Sequence, residues 1–72
     1  MYILDTSKKI FDVSSIGQND IFCIYIDNKK CVLIISIVTE DYLEVINCLG
    51  AIQKIYPDDV QSIEKLYSYE EV

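Results

Sequence analysis

Seventy-two residues with a mass of 8.3 kDa fit one domain, residues 1–72, and six Lys against twelve Asp and Glu leave a net charge of −6. The absence of His and Arg excludes an imidazole base, a histidine metal ligand and a guanidinium clamp on phosphate, and a pI near 4.2 argues against direct nucleic-acid contact. Hydrophobic residues make up 51% of the chain, including thirteen Ile, which is more than so small an interior hides, so a second buried surface is expected.

The N-terminal half, 1–38, reads as strands. Tyr2–Asp5 and Ile10–Val13 form a first hairpin across Thr6–Lys9. With Asp5 opposite Ile10, Leu4 meets Phe11 and Tyr2 meets Val13, and these four share one face. After the loop Gly17–Asp20, a second hairpin pairs Ile21–Ile26 with Cys31–Val38 across Asp27–Lys30. Placing Ile26 opposite Cys31 gathers Phe22, Ile24, Ile26, Cys31, Leu33, Ile35 and Ile37 on one face. Ile21, Cys23, Tyr25, Val32, Ile34, Ser36 and Val38 take the other. Neither face is polar, which predicts central strands covered on both sides.

The C-terminal half, 39–72, reads as helix. Thr39 is a cap candidate, and Glu40 and Asp41 suit the positive end of the dipole. Tyr42, Val45, Ile46, Leu49, Ile52 and Tyr56 fall on one helical arc. Gly50 then lies in a helix interior, at a cost of about 1 kcal/mol relative to Ala. Tyr56-Pro57 ends that helix, and Pro57-Asp58-Asp59 starts a second with Val60, Ile63 and Tyr67 as its stripe. Residues 67–72 are open between a frayed end and an edge strand. The expected fold is α+β, a four-stranded antiparallel sheet of two hairpins followed by one long and one short helix on one face. With the helices there, the face bearing Tyr25, Val32, Ile34 and Ser36 is expected to meet a second copy in a homodimer.

Charge divides along the same line. Four acids and four Lys cancel in 1–38, so the helical half carries all of the −6. Glu40, Asp41, Glu44, Asp58, Asp59 and Glu64 are the expected partner-binding surface, suited to a protein with a basic face.

Little points to catalysis. Cys23, Cys31 and Cys48 lack a CxxC spacing and a His to activate a thiolate. The glycines, Gly17 and Gly50, are isolated, so no phosphate loop is present. No catalytic residue, metal or cofactor is expected. The start lacks a basic n-region and a long apolar run, and the apolar run Cys31–Ile35 is far short of the roughly 20 residues a membrane helix needs. A cytoplasmic protein without a membrane partner is the expectation.

The opening MYILDTSKKIFDVSSI, the hairpin IFCIYIDNKKCVLII and the segment TEDYLEVINCLGAIQKI resemble small accessory proteins of phages and prophages of low-GC Gram-positive bacteria. The resemblance is one of style, in the bias toward Ile, Tyr, Asn, Lys and Asp without Arg. Several such proteins inhibit host defences, anti-CRISPR proteins among them, and the resemblance implies a non-enzymatic inhibitor of a host defence or nucleic-acid-processing complex. The alternatives are a nucleotide sponge or sensor at a dimer junction lined by Tyr25 and Lys29-Lys30, and an immunity protein or antitoxin.

Overall fold

The β-branched runs of both halves pair as strands. The computed structural model describes residues 3–69 and runs β1 (Leu4–Asp5), β2 (Ile10–Phe11), β3 (Ile21–Ile26), β4 (Lys29–Val38), β5 (Leu43–Ile46), β6 (Ile52–Ile55), a 3-10 turn Pro57–Asp59 and β7 (Ser62–Tyr67). β1 pairs with β2, and the other five form an antiparallel sheet in the order β6-β5-β4-β3-β7. The α+β expectation is overturned, because no α-helix occurs among the described residues.

The expected long helix is a hairpin instead. Asn47 Oδ1 accepts the Leu49 and Ala51 backbone N–H groups at 2.9 and 3.0 Å, and Gly50 takes φ 85°. A turn thus stands where the helical reading places a mid-helix glycine. Thr39 does act as a capping oxygen, accepting the Tyr42 N–H at 3.0 Å, but it closes the β4–β5 turn. The helical spacing arose because both faces of this hairpin carry apolar groups. Leu43, Val45 and Ile55 point into the core, whereas Ile46 and Ile52 point out, so Val45-Ile46 mimics adjacent positions of a helical stripe. The second helix is likewise overturned: Pro57 starts a single 3-10 turn, Val60 returns to extended backbone, and Ile63 and Tyr67 lie on β7. Residues 70–72 of the open tail lie outside the described residues.

The first hairpin keeps the expected register, Leu4 opposite Phe11 and Asp5 opposite Ile10; the Tyr2 pairing lies outside the described residues. In the second, Asp27 (φ 54°) and Asn28 (φ 62°) both take left-handed backbone, giving a two-residue turn rather than the expected four. Pairing therefore shifts by two, setting Ile24 opposite Cys31 and Cys23 opposite Val32. An even shift leaves every side chain on its face. Past Ser36 the faces do change. The pairs Ile35–Val45 and Ile37–Glu44 bracket a bulge, so Ile37 is exposed and Val38 packs against the core, the reverse of the expected alternation.

The core sits against the inner face of the sheet. Phe22 and Ile24 of β3, Leu33 and Ile35 of β4, Leu43 and Val45 of β5 and Ile55 of β6 are buried there. Phe11 of β2, Ile16 and, less fully buried, Val60 pack against them. The β1–β2 hairpin and two loop segments thus do the covering expected of helices.

Candidate functional site

Three separate segments bring carboxylates to one end of the molecule. In the β1–β2 turn, Asp5 Oδ1 accepts the Ser7 N–H at 3.0 Å, the Ser7 hydroxyl at 2.8 Å and the Lys8 N–H at 3.1 Å. After β2, Asp12 accepts the Ser14 N–H and hydroxyl at 3.1 and 2.6 Å and the Ser15 hydroxyl at 2.9 Å. These bonds favour the charged form. The Ser7 hydroxyl foremost holds Asp5 below the ordinary 3.8, and the Ser14 hydroxyl does the same for Asp12.

The second segment is the β4–β5 turn, with Glu40 and Asp41. The Phe11 N–H donates to the Glu40 carbonyl at 2.9 Å, tying this turn to β2. The third is the 3-10 turn. Tyr56, just before it, lies 6.1 Å from Tyr42 between ring centroids, and Lys9 Nζ is 3.1 Å from Asp58. Between the first two segments lies an open cleft of about 780 Å³. Leu4, Ile10, Phe11 and Val13 give it apolar walls, and Asp5, Asp12 and Glu40 line it with carboxylates.

The six expected acids therefore do not share one surface. Glu40, Asp41, Asp58 and Asp59 are exposed at this end. Glu44, opposite Lys54 on β5, and Glu64, opposite Cys23 on β7, belong to the outer face of the sheet with β4 and β3 between them. Sequence reasoning passed over Asp5 and Asp12. The legible signal was a repeated Asp-x-Ser, the pattern of a carboxylate accepting bonds from the backbone two residues on.

The outer face is the second candidate surface. Tyr25 is 39% exposed, Val32 48% and Ile34 39%, and Ser36 beside them is half-buried. Within one copy, the described residues cover only the inner face of the central strands. Cross-strand pairing sets Ile52, Ile46, Ile34, Ile21 and Tyr67 in one apolar row across all five strands. Ile37 and Tyr56 extend the exposed apolar surface beyond that row.

Asp20 is the one buried acid among the described residues, at 1% exposure. It accepts the Gly17 and Tyr69 N–H groups, each at 2.8 Å, and lies 3.3 Å from Lys65 Nζ. Burial pushes its carboxyl up, but these donors outweigh it and the net shift is downward. A Cβ on Gly17 would sit 3.0 Å from Asp20 Oδ2, so glycine permits this close approach. The group is structural, pinning the end of β7 to the loop before β3.

Cys23 is buried, Cys31 half-buried and Cys48 exposed, and all three are free thiols. Among the described residues no cluster of His, Cys, Asp and Glu is arranged to hold a metal, and no helix is long and apolar enough to cross a membrane. No protein-family model, curated protein or solved structure matches the chain.

Proposed function

We propose that the chain is a non-enzymatic protein-binding protein whose acidic end receives a basic segment of its partner. The observation that carries this reading is the convergence of Asp5, Asp12 and Glu40 on a cleft with apolar walls, with Asp58 of the 3-10 turn brought to the same end through Lys9. A Lys or Arg side chain fits such a site, its aliphatic stem against Ile10 and Val13 and its charged head at the carboxylates. Asp5 and Asp12 are held by their serines, so their charges are fixed in place before a partner arrives. Basic surfaces of this kind serve nucleic-acid-binding proteins, and occupying one excludes the phosphate backbone. Together with the resemblance to small phage accessory proteins, this supports an inhibitor of a host defence or nucleic-acid-processing complex.

Affinity capture from a host lysate at two salt concentrations tests the reading. Wild type is expected to retain a basic protein at about 0.1 M salt and to lose most of it at about 0.5 M, where the Debye length is only a few ångströms. The triple variant Glu40→Lys, Asp41→Lys, Asp59→Lys is expected to lose capture with an unchanged circular dichroism spectrum. Capture that survives both the salt and the variant would sink the proposal.

A further inference from the structure

We propose that the outer face of the sheet is a two-fold interface between two copies of this chain, with β4 of one copy stacked antiparallel on β4 of the other. The occupant is argued from area, symmetry and charge. Seven of the eleven exposed large apolar side chains among the described residues lie on this face. Their exposed surface is on the order of 700 Å². That exceeds the roughly 300–600 Å² of the largest patch on a typical monomer and approaches the roughly 800 Å² per partner of a standard interface.

The symmetry lies in β4. Leu33 points into its own core, and Val32 and Ile34 flank it on the outer face. Lys30 stands three residues before Leu33 and Ser36 three after. At about 3.3 Å per residue each is about 10 Å from the strand centre. A two-fold axis at Leu33, perpendicular to the strand, therefore sets Val32 over Ile34 of the second copy. It also sets Lys30 over Ser36 of that copy, twice. Ser36 does not stand alone: its hydroxyl is 3.4 Å from Glu44 Oε2. Lys30 is exposed and makes no ion pair among the described residues. Lys54, across from Glu44, is turned over the Tyr42 ring at 4.7 Å. Each copy thus offers the other an unpaired lysine and an available carboxylate at matching positions.

Charge also separates a second copy from an unrelated basic partner. The outer face carries Lys30 and Lys54 against Glu44 and Glu64, a balanced set. A basic partner is drawn to a net negative surface, which is the cleft end and not this face. Two copies joined here keep both acidic clefts free for partners. The test leaves the cleft residues untouched, so dimerisation and partner capture fail independently.

Sedimentation velocity of the full chain from about 1 to 200 μM measures the association. Wild type is expected to sediment as a dimer. Lys30→Glu and Glu44→Lys are each expected to raise the dimer dissociation constant about tenfold or more, because each sets like charges over one another. The double variant Lys30→Glu, Glu44→Lys is expected to return it to within about threefold of wild type, since the pair is restored with its signs exchanged. Val32→Asp is expected to give a monomer with an unchanged circular dichroism spectrum. A wild-type monomer at 200 μM, or a double variant no tighter than the singles, overturns the proposal.

Discussion

The two faces of β3 and β4 are built from the same residue types and meet opposite fates. Phe22, Ile24, Leu33 and Ile35 are buried to 2% exposure or less, while Tyr25, Val32 and Ile34, their neighbours in sequence, stand 39–48% exposed. Hydrophobicity does not separate the two sets. What separates them is cover: Phe11, Ile16 and Val60 lie over the inner face, and no segment among the described residues lies over the outer one. An apolar side chain therefore reports which surfaces want burial, and only the packing of other segments says which are satisfied within one chain.

The largest break of that comparison is on the inner face. Phe22→Ala is expected to cost about 3–5 kcal/mol and Leu33→Ala about 2–5 kcal/mol, through lost transfer energy and an unfilled cavity. A chain of this size has about 4–10 kcal/mol in all, so Phe22→Ala should leave much of the protein unfolded. Val32→Ala on the outer face is expected to change the urea midpoint little at low protein concentration, and to destabilise only at concentrations where two copies associate. Equal losses on both faces at low concentration would erase the distinction.

Next in size is Asp20. Asp20→Ala leaves two part-buried N–H groups and the partly exposed Lys65 ammonium without their acceptor, an expected loss of about 1–3 kcal/mol. The same residue contributes pH dependence. Asp5, Asp12 and Asp20 all sit below 3.8 in the folded protein. The unfolded chain thus binds more protons near pH 4. The stabilisation is fully present above about pH 5 and is lost as pH falls through the folded values. Urea midpoints should be flat from pH 7 to 5 and fall below pH 4, and Asp20→Asn should shrink that fall.

Gly50 gives a smaller effect whose sign matters more than its size. At φ 85° with open space around it, Gly50→Ala is expected to destabilise by about 1 kcal/mol through backbone strain alone. In the helix read from the sequence, the same change would stabilise by about 1 kcal/mol. Thermal denaturation decides between a turn and a helix here without a structure. The smallest effect is at Lys9–Asp58, where both side chains are about 70% exposed. Lys9→Ala should shift stability by less than about 0.5 kcal/mol, because water screens the pair.

Much of the first 38 residues was legible because short-range chemistry governs them. The strands, the register of the first hairpin and the face assignments of Phe22 to Ile35 follow from alternation and from turn residues close in sequence. The second hairpin's register differs by two from the one the turn cluster suggests, because Asp27 and Asn28 suffice for the turn, leaving Lys29 and Lys30 to pair. The C-terminal half failed for a different reason. β5 and β6 carry apolar groups inside and outside, so their alternation is masked and a 3.6-residue period fits by coincidence. The candidate site divides in the same way. Glu40, Asp41, Asp58 and Asp59 are identifiable as acidic and exposed, but the meeting of Glu40 with Asp5 and Asp12 depends on the β1–β2 hairpin docking beside the β4–β5 turn.

The amino-acid sequence by itself determined the absence of imidazole and guanidinium chemistry, the net charge of −6 and an apolar content too large for one small interior. It also determined that β1 pairs with β2 and β3 with β4, and which side chains of Phe22 to Ile35 share a face. The tertiary structure alone decided that β7 returns to β3, that a hairpin and not a pair of helices covers the inner face, and that Asp5, Asp12 and Glu40 line one cleft. Those outcomes rest on contacts between residues far apart in sequence. Their free energy comes from shared burial, and burial is a property of which surfaces meet rather than of any residue or its neighbours.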